Sequence, residues 1–79
     1  MTAVTLRRID SACNMRRFYR LDVQPDLFGV FTLVREWGRI GRAGQVRMIP
    51  YPTPAEAAAA LDKQRTAKER RGYNVLMES

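Results

Sequence analysis

Apolar and polar positions alternate with a period of two through the first fifty residues, and the period changes once, near residue 54. Val4, Leu6 and Arg8 alternate with Thr5, Arg7 and Ile9, which predicts a strand over 4–9, expected at a sheet edge. Residues 10–14 form a polar turn. The alternation is stronger over 17–24. There Tyr19, Leu21 and Val23 share one face, and Phe18, Arg20 and Asp22 share the other. The first set is the candidate core; the second gives a partly basic surface. Residues 25–29 have hairpin chemistry. A third strand is predicted over 30–37, with Leu33, Arg35 and Trp37 on one face and Val34 and Glu36 on the other. A glycine turn over 40–44 leads into a fourth strand, 45–49, with Val46 and Met48 on one face. Pro50, Tyr51 and Pro52 are expected to end the sheet there.

From residue 54 the period is helical. Thr53, Pro54 and Glu56 form a capping-box pattern, with Thr53 at N-cap, Pro54 at N1 and Glu56 at N3. The helix is expected over 54–71. Ala57, Ala60, Leu61, Gln64, Ala67 and Lys68 fall on one face, apolar at its start and polar at its end. Gly72 suits the C′ position, and 73–77 suits a short final strand. Together these elements predict an α+β fold: an antiparallel β-sheet of four to five strands with one long α-helix packed on one face. A single domain over 1–79 is expected.

Composition narrows the function. The chain has 79 residues, 14 basic and 8 acidic, for a formal net charge of +6, and twelve of the basic residues are arginine. That balance favours a polyanionic partner, and guanidinium groups fork onto phosphate better than ammonium groups do. The plainer alternative is that arginine over lysine reflects genome base composition. The chain has one cysteine, Cys13, and no histidine. Together these exclude an internal disulfide, a Cys–His nucleophile and a histidine general base, and leave little for zinc. No cofactor, no metal and no catalytic residue are expected. No apolar run reaches membrane-spanning length, and the first ten residues lack a signal-peptide layout. No membrane partner is expected. A cytoplasmic setting follows as the default, with association with the nucleoid as a second option.

The chemistry concentrates in Arg35-Glu36-Trp37-Gly38-Arg39-Ile40-Gly41-Arg42-Ala43-Gly44-Gln45. This stretch holds the only tryptophan and three of the five glycines. It lacks the spacing of a phosphate-binding glycine loop, and no helix follows it directly. Trp37, Tyr73 and Phe18 are stacking candidates, and Arg16, Arg17, Arg39, Arg42 and Lys68 are phosphate candidates. Each has a plainer alternative. Trp37 and Tyr73 are also suited to the core. Arg39 can fold back on backbone carbonyls, Asn14 can close a turn, and Lys68 can complement the helix dipole. Gly38, Gly41 and Gly44 can serve as turn formers.

The motif Trp37-Gly38-Arg39-Ile40-Gly41, then Gly44-Gln45, resembles the signature of the WGR domain, found in poly(ADP-ribose) polymerases and in small bacterial proteins. The strand Asn14-Met15-Arg16-Arg17-Phe18-Tyr19-Arg20-Leu21 is similar to that family's Asn-x-x-Lys-(Phe/Tyr)-Tyr-x-Leu strand. Arg35 also fits, and Lys68 followed by Arg71-Gly72-Tyr73 resembles its helix ending. The resemblance covers about residues 14–73. Gln64, in place of an apolar residue, and Asp22, in place of a commoner glutamine, depart from it. The resemblance implies the same sheet-and-helix fold and DNA binding at strand breaks. Trp37 would pack at a 5′ end, and Arg39 would contact DNA or a neighbouring domain. Asn14, Lys68 and Tyr73 would lie near the DNA.

The expected function is a small non-enzymatic nucleic-acid-binding module, for DNA ahead of RNA. It would bind duplex ends, nicks or 5′-phosphate termini without sequence specificity. Its site residues would be Asn14, Arg16, Arg17, Trp37, Gly38, Arg39, Arg42, Lys68 and Tyr73. The alternative is an adaptor that docks on a separate protein through the Trp-Gly-Arg loop.

Overall fold

The computed structural model describes residues 3–78. The elements run β1 (Ala3–Asp10), β2 (Met15–Pro25), β3 (Phe31–Arg39), β4 (Gln45–Tyr51), α1 (Pro54–Arg70) and β5 (Asn74–Glu78). The strands pair antiparallel in one sheet of order β4-β3-β2-β1-β5. Helix α1 lies against β2, β3 and β4. The fold is therefore α+β, as the periodicity predicts.

Strand β1 is not an edge strand. It sits between β2 and β5, and β4 and β5 form the edges. Alternation along β1 shows which side chains point inward, but not which strands flank it. The final strand returns to β1 because α1 spans the sheet. Its 17 residues reach about 25 Å, and four inter-strand spacings amount to about 19 Å.

The register aligns the core. Leu6 faces Tyr19, Val4 faces Leu21, and Val23 faces Leu33. All six are buried, and Ala57 and Leu61 of α1 close over them. Alanine at position 57 lets the helix axis approach the sheet closely. Helix residues Ala60, Gln64, Arg65 and Lys68 are half-buried, but Ala67 is exposed. The predicted helix face is therefore corrected at Ala67. Ten residues past Ala57, it lies beyond the flank of the buried stripe, and Arg65 takes the inward place.

The sheet does not end at Ile49. Strand β4 continues through Pro50 to Tyr51, with Phe31 opposite Tyr51. Proline is tolerated because β4 is an edge, where a missing N–H need not break a ladder bond. Tyr51 packs against the core, whereas Val46 and Met48 are exposed on the sheet face away from α1.

Both ends of α1 follow their local chemistry. Thr53 is the N-cap, and its Oγ1 accepts from the Glu56 N–H at 3.2 Å. The Glu56 carboxylate answers by accepting from the Thr53 hydroxyl at 3.1 Å, rather than from the Thr53 backbone. At the other end, the Gly72 N–H donates to the Glu69 carbonyl and the Tyr73 N–H donates to the Lys68 carbonyl. With Gly72 at φ +92, this is a Schellman ending. It turns the chain back so that Tyr73 lies over the sheet.

Candidate nucleic-acid interface

Three segments converge at one end of the helix-covered face: the β1–β2 turn, the end of β3, and the residue after the Schellman turn. They enclose a cleft of about 420 Å³. Of the sequence-predicted site residues, Asn14, Arg16, Arg17, Trp37, Gly38, Arg39 and Tyr73 line it. Cys13 and Met15 complete the lining. Sequence reasoning passed over both, because a lone thiol and a thioether carry no spacing signal.

The β1–β2 turn is held by Asp10, whose Oδ1 accepts from the Ala12 and Cys13 N–H groups at 3.1 and 3.4 Å. Asn14 has φ +50, and its N–H donates to the Ser11 carbonyl at 3.3 Å. Asparagine tolerates this left-handed geometry better than most residues. Asn14 thus closes the turn while its exposed side chain faces the cleft. The Ile40 N–H donates to the Arg16 carbonyl at 3.0 Å, tying the glycine turn to the start of β2.

The glycine turn depends on close backbone approach. A Cβ on Gly38 would sit 2.9 Å from Gly44 Cα. A Cβ on Gly44 would collide with the Trp37 carbonyl oxygen and come within 2.9 Å of the Phe18 ring. Phe18 therefore props the turn from the uncovered face. It is half-buried and absent from the cleft lining, so it stands apart from Trp37 and Tyr73.

Tyr19 organises the site. It is 2% exposed, and its ring stacks on Trp37 with centroids 5.8 Å apart and planes at 13°. Tyr73 meets it edge-on at 6.3 Å and 83°. Arg35 donates to the Tyr19 hydroxyl from Nε at 2.9 Å and from a terminal nitrogen at 2.7 Å. The same guanidinium carbon lies 5.7 Å from the Trp37 ring centroid. The Lys68 Nζ sits 4.5 Å from the Tyr19 centroid. Trp37 and Tyr73 thus have two roles. Each packs against the core, and each presents its remaining surface to the cleft.

Lys68 lies beneath this cluster and does not line the cleft. Partial burial, then repulsion from Arg71 and Arg35, holds its ammonium below the usual lysine range. The Tyr19 ring face works in the opposite direction by attracting the charge. Arg42 is exposed on the glycine turn, outside the cleft. Tyr19 and Arg35 were legible as strand-face residues and as parts of the family resemblance, but the bonds between them were not, since these cross between strands.

Among the described residues, Arg65 alone makes ion pairs, with Glu69 and Glu78. Among those residues, Arg16, Arg17 and Arg39 therefore face the cleft without a carboxylate partner. Among the described residues no group of three or more His, Cys, Asp or Glu side chains could hold a metal, and no helix is long and apolar enough to cross a membrane.

Tyr19→Phe tests the support of the cleft. It removes the acceptor of both Arg35 bonds and leaves a half-buried guanidinium less satisfied. A loss of about 1–3 kcal/mol is expected, read as a lower midpoint in urea with an unchanged slope. An unchanged midpoint would show that Arg35 is satisfied without the hydroxyl.

A family model described as the WGR domain matches residues 2–79. The chain is similar to the uncharacterized protein y4dW of Sinorhizobium fredii (strain NBRC 101917 / NGR234), at 35% identity over 68 residues. That alignment covers 86% of this chain and 33% of y4dW, so the chain spans about a third of this curated relative's length. The WGR domain is a binding domain rather than a catalytic one, associated in general with nucleic acid. Its model takes in the β1–β2 turn, the glycine turn and the Schellman ending that together build the cleft, and the chain belongs to the WGR domain family.

Proposed function

We propose that this chain is a non-enzymatic module that binds nucleic acid in the cleft between Asn14, Trp37 and Tyr73, preferring duplex DNA ends, nicks or 5′-phosphate termini. One observation carries the reading: the half-buried Trp37 ring, braced by Tyr19, shares a cleft with Arg16, Arg17 and Arg39, which have no carboxylate partner among the described residues. A cleft of this volume is within the range that accepts a small ligand, about 300–1,000 Å³. Here that ligand is the terminal nucleotide. An end exposes a base face that a continuous duplex hides, and Trp37 offers a fixed surface for it. The arginines hold the adjoining phosphates and carry no base information. The binding is therefore independent of sequence.

Fluorescence anisotropy against three DNAs tests this: a blunt 5′-phosphorylated duplex, a nicked hairpin and a closed dumbbell. Each is titrated at low and near-physiological salt. Tighter binding to the first two at both salts is expected. Equal binding to all three that vanishes with salt would leave only a charge effect, and the Trp-Gly-Arg loop would then be tested as a protein-docking site.

A further inference from the structure

Three arginines stand side by side across β1, β2 and β3. Arg8 pairs opposite Arg17, and Arg17 pairs opposite Arg39. The row lies two residues along from Leu6, Tyr19 and Trp37 on the same sheet face. It therefore runs parallel to the aromatic row, about 7 Å away. Like charges directly opposite one another weaken a ladder. Among the described residues none of the three forms an ion pair. The arrangement therefore leaves a line of positive charge that a line of anions would relieve. Arg17 and Arg39 line the cleft, whereas Arg8 lies beyond it. The Arg8 side chain runs beside Gly72, its Nε 3.3 Å from where a Cβ would stand there.

We propose that Arg39, Arg17 and Arg8 form a phosphate track that leads one strand of the bound nucleic acid out of the cleft and across the sheet towards the C-terminal end of α1. The ligand class is the successive phosphodiesters of a single strand. The outer two arginines are two strand spacings apart, about 10 Å. Phosphates advance about 3.4 Å each along the axis of a stacked strand, so the row engages more than one of them. This inference rests on the proposed function of the cleft and extends it to Arg8. Arg8 has a competing role, since a cation beside a helix C-terminus also complements the helix dipole. That role would affect stability and leave the salt dependence of binding unchanged.

The two roles separate in the salt dependence of binding to a 5′-phosphorylated duplex. The wild type, Arg8→Gln, Arg17→Gln and Arg8→Lys are titrated over a range of salt, with folding checked by circular dichroism. Arg8→Gln and Arg17→Gln are each expected to lower the slope of log K against log salt by about 0.9. Arg8→Lys should restore the slope. If Arg8→Gln keeps the wild-type slope while Arg17→Gln lowers it, the track is overturned and the cleft reading stands. If neither variant changes the slope, the cleft reading falls as well. Should Arg8→Gln melt below the assay temperature, Arg8→Met keeps the packing beside Gly72 and repeats the test.

Discussion

Trp37→Ala is expected to weaken binding to a 5′-phosphorylated duplex end by roughly five- to a hundredfold, with closed dumbbell DNA little affected. A stacked base contributes about 1–3 kcal/mol, and each 1.4 kcal/mol is a factor of about ten. The dumbbell has no strand terminus, so its binding rests mainly on phosphate contacts that Trp37 does not make. Trp37 also stacks on Tyr19, so the variant will be less stable, and binding must be read well below its melting temperature. Trp37→Phe separates the two effects. It keeps a ring on Tyr19, and it should retain part of the end preference. Arg39→Ala should weaken both DNAs, because phosphates are present in each. If Trp37→Ala weakens both DNAs equally, end stacking is ruled out.

The second large effect is expected from Gly44→Ala. The added methyl meets the Trp37 carbonyl, which is backbone and cannot rotate away. The Phe18 ring blocks the other side. The turn between β3 and β4 must open, and it carries Gly38 and Arg39 with it. Overpacking costs about 1–3 kcal/mol, and more where backbone collides. In a chain of this size that lowers the melting temperature by roughly 5–20 °C. DNA binding should fall in parallel, since the cleft wall moves. Gly41→Ala is the control. Gly41 has φ +88 and nothing within 4 Å of its Cβ position. Only the strain of a left-handed alanine remains, about 1 kcal/mol. Thermal unfolding of the two variants decides the matter. A Gly44→Ala loss no greater than that of Gly41→Ala would mean the close approach is dispensable.

Both results bear on how the site is built. Much of the cleft was legible because its parts carry local signatures. The tryptophan on a glycine turn, the Asn14 turn and the Gly72-Tyr73 helix ending each announce themselves within a few residues. The support behind the cleft was not legible. The bonds from Arg35 to Tyr19 join residues 16 positions apart on neighbouring strands. Lys68 comes to Tyr19 from the helix across the layer. Phe18 looked free for stacking, because alternation assigns it a face without saying what lies over that face. The chain's own glycine turn packs against the ring there.

The sequence by itself determined the strand and helix order, both helix ends, the inward side of β2, and the tryptophan and arginine chemistry. These depend on short-range terms: side-chain period, capping bonds, and backbone angles open to glycine. Only the tertiary structure decided that β1 is internal and that Pro50 stays in the sheet. It also decided that Trp37 and Tyr73 serve the core and the cleft together, and that Arg8, Arg17 and Arg39 form one row. Each of these depends on which strands become neighbours and in what register. That choice is made by burying one continuous apolar face beneath α1, a collective term that no single segment of the chain contains.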